Sequence, residues 1–184
     1  MPASSLQESE MLDWRSTDMH QKNPEILRKI RPYLDVIKLK LDPSYSLIDI
    51  GCGEGYFCKY LSHENYLGVD IREAEIEAAK RNFPDNNFMV GDLFDLEGKW
   101  DVVICSRVLI HIAPFEQALE KLKSLAKRFL FIIVRLTEEE VITEMRGDDG
   151  KFYFRCLSPE RFEGASIFHE TGKYSLVTYD FGDK

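Results

Sequence analysis

No apolar run in the chain reaches 18 residues, so no segment is long enough to cross a bilayer as a helix. The first ten residues, MPASSLQESE, have neither the basic start nor the apolar middle of a secretory signal. They read as a mobile polar tail, and the protein is expected in the cytoplasm. Cysteine is sparse. Cys52, Cys58, Cys105 and Cys156 include no C-x-x-C pair, and no histidine stands at zinc-finger spacing from them. No metal is expected. Cys52, Cys58 and Cys105 lie in apolar runs, where a reduced thiol serves as a small hydrophobe. Positive charge is outweighed: 24 Lys and Arg against 32 Asp and Glu leave a net −8. That balance disfavours long-range attraction to nucleic-acid phosphates. The densest basic group, Lys121, Lys123, Lys127 and Arg128, reads as the solvated end of a helix.

What is present is the pattern of one 184-residue domain with a core of its own. A helix is expected from Asn23, with Asn23 as N-cap, Pro24 at its first position and Ile26, Leu27, Ile30, Leu34 and Ile37 along one face. Pro32 should kink or divide it. Short apolar runs at 46–50, 66–70, 87–92, 101–106 and 129–135 read as strands buried on both faces. Helical patterns at 54–62, 72–83 and 113–128 alternate with them. This predicts an α/β fold: a single doubly wound, Rossmann-like, mostly parallel sheet with helices on both faces. Residues 151–157 are a strand or an ordered loop. Ser158 and Pro159 open a short helix, and 166–181 form an antiparallel hairpin turning at ETGK. The segments between strands look too short for an inserted domain.

The chemistry-bearing stretch begins at Ser46. Gly51, Gly53 and Gly55 spell G-x-G-x-G after the first strand. A dinucleotide loop needs its third glycine at position 56, which is Tyr56. That ring is expected to hold the following helix off the sheet or to turn outward. Glu54, expected in the first helical turn, is a poor neighbour for a phosphate. The loop therefore suits a ligand without phosphates. Asp70 comes 19 residues after Gly51 and ends the second strand, where a carboxylate can take both hydroxyls of a ribose. Together these features point to a nucleoside-bearing cofactor.

The pieces LIDIGCGEG, YLGVDI, NFMVGDLFDL and FDLEGKWDVVICSRVLIHI resemble, in order and spacing, the class I S-adenosylmethionine-dependent methyltransferases. The likeness covers about residues 45–135, and the terminal hairpin fits that family's reversed last strand. It implies S-adenosylmethionine as cofactor and S-adenosylhomocysteine as product. Asp49, Gly51, Cys52, Gly53 and Gly55 would lie along the methionine part, and Asp70 would bind the ribose. Ile71 would pack on the adenine, Asp92 would accept from its amino group, and Leu93 would flank the ring. Ser106 would face the methionine ammonium. Other roles stay open: Asp92 as a turn cap, Asp49 as an orienter of loop N–H groups, Ile71 and Leu93 as core. The likeness divides the chain into a helical lid over 11–44, a cofactor-binding core over 45–135, and a substrate-side segment with the hairpin over 136–184. Met11 and Trp14 would close the lid.

A sulfonium methyl is already electrophilic, so alignment with a nucleophile supplies much of the catalysis. The acceptor belongs beyond the carboxyl ends of the fourth and fifth strands, within reach of Arg107, His111, Arg135, Tyr153 and Arg155. His111 is the candidate catalytic base, or else an orienting or core histidine. Three arginines there would suit a carboxylate or phosphate on the acceptor; Arg135 or Arg155 could instead pair with the acids of TEEE at 137–140. KFYF reads as a packed edge. SRVLIH stands where base-methylating enzymes carry Asn-Pro-Pro-aromatic. The expected reaction is methyl transfer to a small-molecule acceptor. A protein or RNA acceptor, or a non-catalytic partner subunit on the same fold, are the alternatives.

Overall fold

The computed structural model describes residues 24–112, 114–147, 150–170 and 174–182. The expected tail, Asn23, Met11, Trp14 and the ETGK turn residues 171–173 lie outside them. Strands β1 (Leu47–Ile50), β2 (Tyr66–Asp70), β3 (Asn87–Val90), β4 (Trp100–Ser106) and β5 (Ala126–Val134) run parallel in the order β3-β2-β1-β4-β5. Two later strands complete this sheet: β9 (Ser175–Asp180) pairs antiparallel with β5, and β8 (Ser166–Phe168) pairs antiparallel with β9. The Rossmann-like sheet and its hairpin are as the sequence predicts.

Alternation along the strands feeds two cores. Val103, Cys105, Leu130 and Ile132 face helix α4 (Phe115–Leu125), which contributes Ala118, Leu119 and Leu122. Val102, Ile104, Phe131 and Ile133 face the other side. There they meet α1 (Pro24–Leu39) through Ile30, Tyr33, Leu34 and Ile37, α2 (Tyr56–Leu61) through Phe57 and Leu61, and α3 (Glu73–Asn82) through Ile76 and Ala79. Helix α1 runs as one element through Pro32, so the proline does not divide it. Proline removes one backbone bond, and the buried residues on either side of it hold both halves against the sheet.

The chain passes from α4 into β5 at Leu125–126, earlier than the sequence suggests. Both residues are buried, and Ala126 is already in register with Trp100. Lys127 and Arg128 are therefore strand residues, each 3.8 Å from Asp101 Oδ1, while Lys123 bonds Glu120 at 2.9 Å. The basic group is not one helix face.

The stretch between β5 and β8 holds a ribbon that the sequence reading did not foresee. Strands β6 (Val141–Gly147) and β7 (Gly150–Cys156) pair antiparallel in a sheet of their own. The ribbon joins the main body through the Leu136–Leu157 bridge, with Thr137 N donating to Leu157 O at 2.9 Å and Leu157 N to Arg135 O at 3.2 Å. Residues 151–157 are thus strand for most of their length. A short 3-10 turn, Pro159–Phe162, follows, although Ser158 makes no side-chain cap.

Candidate active site

The glycine loop stays stitched to β2 as it leaves β1. Gly51 N and Cys52 N both donate to Val69 O, at 2.7 and 3.0 Å. A Cβ on Gly51 would stand 2.0 Å from Val108 Cγ2, so this glycine makes room for the chain emerging from β4. Gly53, at φ +51°, turns its N–H onto Asp70 Oδ2 at 2.9 Å. The other carboxylate oxygen of Asp70 accepts from Arg72 N at 3.0 Å. Loop and acid are thereby held side by side at the carboxyl rim of the sheet. Each oxygen keeps a further lone pair for a ligand.

Beside them opens a cleft lined by Asp49, Gly51, Cys52, Tyr56, Phe57, Ser106 and Arg107. Of the expected cofactor residues, Asp49, Gly51, Cys52 and Ser106 meet here. Asp49 is 2% exposed and accepts from the Tyr66 hydroxyl at 2.7 Å, rather than from loop N–H groups. Burial pushes its carboxyl up to about 7. Burial also raises the thiols, to about 11 for Cys58 and about 12 for Cys105, as suits inert core cysteines. Arg107 adopts φ +61°, which is strained for a side-chain-bearing residue, while its N–H donates to Ile133 O at 2.8 Å.

Two expectations about the loop are corrected. Glu54 precedes α2 instead of lying in its first turn, and it is buried. Tyr56 does not turn outward: it is buried on the cleft wall, its ring 5.0 Å from that of Tyr60. Gly55, in the left-handed region, stands at the start of the helix, and Tyr56 is its first residue. Glu75, which the sequence reading did not single out, is buried nearby and bonds Arg72 at 3.0 Å. Burial raises its carboxyl, which Arg72 partly offsets and Asp70 and Glu54 reinforce. Its place in the first turn of α3, five residues after Asp70, was the available signal.

At the neighbouring strand ends, Gly91 N donates to Asp70 O at 3.0 Å and so draws 91–93 up to β2. Ile71 is 64% exposed, which rules out a core role. Leu93 is buried in the core, and Asp92 caps its turn by accepting from Phe94 N at 2.9 Å. Phe94 is itself exposed.

The acceptor-side candidates gather less tightly. His111 ends the Leu109–His111 turn, with its ring 5.9 Å from that of Phe154 on β7. The Arg135 guanidinium carbon lies 5.8 Å from the same Phe154 ring. Arg155 is buried and donates to the Ile112 carbonyl, so it fastens the ribbon to the 109–112 turn. The side chain of Tyr153 lies outside the described residues. Neither Arg135 nor Arg155 takes the TEEE acids. Arg161 does, bonding Glu140 at 2.8 and 2.9 Å and reaching Glu116 at 2.6 Å. Nothing in the spacing of Arg161 announces this, because its partners are 21 and 45 residues away.

The family described as "Methyltransferase domain" matches residues 41–173. The chain belongs to this family. The topology of the methyltransferase domain is that of the class I S-adenosylmethionine-dependent enzymes. Among curated relatives it is 25% identical to the putative methyltransferase 235L of Invertebrate iridescent virus 6 over 153 residues, covering 77% of this chain and 57% of that one. It is 36% identical to magnesium-protoporphyrin O-methyltransferase of Synechocystis over 102 residues, covering 49% and 44%. The chain spans about half the length of the curated relatives it matches. In solved structures, the domain resembles magnesium protoporphyrin IX methyltransferase from Synechocystis with bound S-adenosylmethionine (TM-score 0.66, 20% identity, covering 96% of this chain and 98% of that one). It also resembles a DhpI–SAM–HEP complex (TM-score 0.69, 19% identity, covering 97% and 99%).

Proposed function

We propose that this methyltransferase domain binds S-adenosylmethionine at the rim of β1, β2 and β4 and passes its methyl to a small-molecule nucleophile. The observation that carries the reading is the Gly53 N–H on the Asp70 carboxylate, beside a cleft with acid on its wall. When bound, the cofactor supplies an electrophilic methyl on a sulfonium. The residues present fit such a group. Asp70 has acceptor capacity left for ribose hydroxyls. Ile71 and Phe94 offer exposed apolar surface for a flat base, with Asp92 between them in sequence. Beyond burial, Asp70 raises the carboxyl of Asp49, and Asp70 and Glu54 raise that of Glu75, a crowding of acids that a cationic ligand at the loop would relieve. Ser106 and Arg107 mark the end of the cleft nearest the acceptor.

The protein's remaining tasks are to align the acceptor, exclude water and, where the nucleophile carries a proton, remove it. Alignment contributes up to about 7–11 kcal/mol in favourable cases. Proton removal adds about 10²–10⁴ in rate, and His111 is the residue we assign to it. The net acidity of the chain counts against RNA.

Calorimetry with S-adenosylmethionine and its homocysteine product tests the cofactor assignment. Asp70→Ala should weaken binding by about tenfold or more, because hydrogen bonds to a charged group contribute roughly 1.5–3 kcal/mol. Affinity unchanged within about twofold would refute the ribose assignment. A labelled-methyl transfer screen over phenol, carboxylate and amine acceptors tests the reaction.

A further inference from the structure

We infer that Arg135 anchors an anionic oxygen group, carboxylate or phosphoryl, on the methyl acceptor; the inference rests on the methyltransferase reading above. Arg135 directly follows β5, two residues beyond Ile133, which is in register with Ser106 of the cleft. It therefore stands at the carboxyl rim on the acceptor side. Its backbone is fixed there, since its carbonyl accepts from Leu157 N. One donor of its side chain is not satisfied. Nε is buried, with no hydrogen-bond partner among the described residues. A buried guanidinium nitrogen left in that state is costly, and a ligand oxygen removes the penalty. Among the described residues its guanidinium lies over the Phe154 face, a contact that leaves its N–H donors unoccupied.

The other two arginines are placed differently. Arg155 spends a donor on the Ile112 carbonyl; Arg107 shares a buried Nε without a hydrogen-bond partner among the described residues, but it is engaged elsewhere in the protein and stands on the cofactor cleft. The acid closest to Arg135 in the following loop that forms an ion pair, Glu140, is taken by Arg161. Phe154 also touches His111, so the candidate base and the unspent arginine flank one ring. An acceptor gripped by its anionic end at Arg135 would lie along that ring with its nucleophile toward His111. A planar fork of donors selects carboxylate or phosphoryl oxygens over neutral groups.

The test uses ¹⁵N-labelled full chain, with and without saturating S-adenosylhomocysteine, and follows the arginine Nε–H signals. Arg135→Lys serves to mark the signal that disappears. Sodium phosphate and sodium benzoate are titrated separately, with sodium chloride at matched ionic strength as the control. The Arg135 signal should move saturably with phosphate, benzoate or both; a response to one alone names the acceptor's anion as phosphoryl or carboxylate. Arg135→Gln should weaken that binding by about tenfold while S-adenosylhomocysteine affinity stays within about twofold. A signal that moves no more than it does with chloride overturns the inference. Failure of S-adenosylhomocysteine to bind would instead count against the cofactor reading, and the titration without it still decides the question for Arg135.

Discussion

The two halves of the carboxyl rim are built differently. On the glycine-loop side every turn is fixed by the main chain: Gly51, Cys52, Gly53 and Gly91 each donate to β2 or to its terminal aspartate. On the acceptor side, the parts are a ribbon joined through one bridge, an arginine fastened to a carbonyl, and aromatic contacts. A ligand common to a whole family can be met by backbone, which any sequence supplies once the glycines are in place. A ligand peculiar to one member must be met by side chains on an added element. Strands of the parallel sheet hold the first, and a ribbon paired in a sheet of its own presents the second.

Substitution on the loop side should therefore propagate through the fold. Gly51→Ala places a methyl against Val108 and a side chain at φ +74°, with an expected loss of about 2–4 kcal/mol in urea unfolding. Trimming the neighbour in Gly51→Ala/Val108→Ala should return part of that loss. A single variant of wild-type stability would mean the loop is as adaptable as the ribbon.

The pH response should arise on the same side. Asp49 holds its proton up to about 7 in the folded chain against 3.8 when solvated. The folded state thus binds the proton more tightly, and the associated stability is present below about pH 4 and lost as pH rises through 7. Asp49→Asn should flatten that decline and be more stable than wild type at pH 8 by about 2–4 kcal/mol, while differing little near pH 4. Glu75, raised by burial in the same direction, keeps a residual slope in the variant. Unfolding midpoints at the two pH values decide it.

The smallest effect is expected at the ribbon's foot. Arg161 and Glu116 are exposed and Glu140 is partly so, and Arg161→Gln should change global stability by about 1 kcal/mol or less. Faster amide exchange confined to β6 and β7, with β1 and β2 unchanged, would mark the ribbon as a separately opening unit. Exchange rising equally everywhere would dissolve the distinction between the halves.

The same division governs what could be read from the residues. Alternating short apolar runs announce the parallel sheet, because burial on both faces leaves little choice of residue. G-x-G-x-G and Asp70 announce the rim, because local backbone geometry demands them. Tyr56 left two readings open, of which the outward one fails, because a large side chain in place of glycine says nothing about which way it turns. The β6–β7 ribbon went half unseen because VITEMRG mixes polar and apolar residues without a clean period of two. Arg155 and Arg161 act through partners more than 20 residues away in the chain, and no local pattern encodes such a meeting.

The order of strands also sets a timetable. Strand β8 precedes β9 in the chain yet lies outside it, so β8 has nothing to pair with until Ser175–Asp180 arrives. The flank of β5 from Leu130 to Val134, wholly buried in the finished sheet, waits for the same six residues. During synthesis the chain therefore carries a bare, sticky strand edge late into its folding, and closing it is a long-range event that follows the assembly of the parallel core.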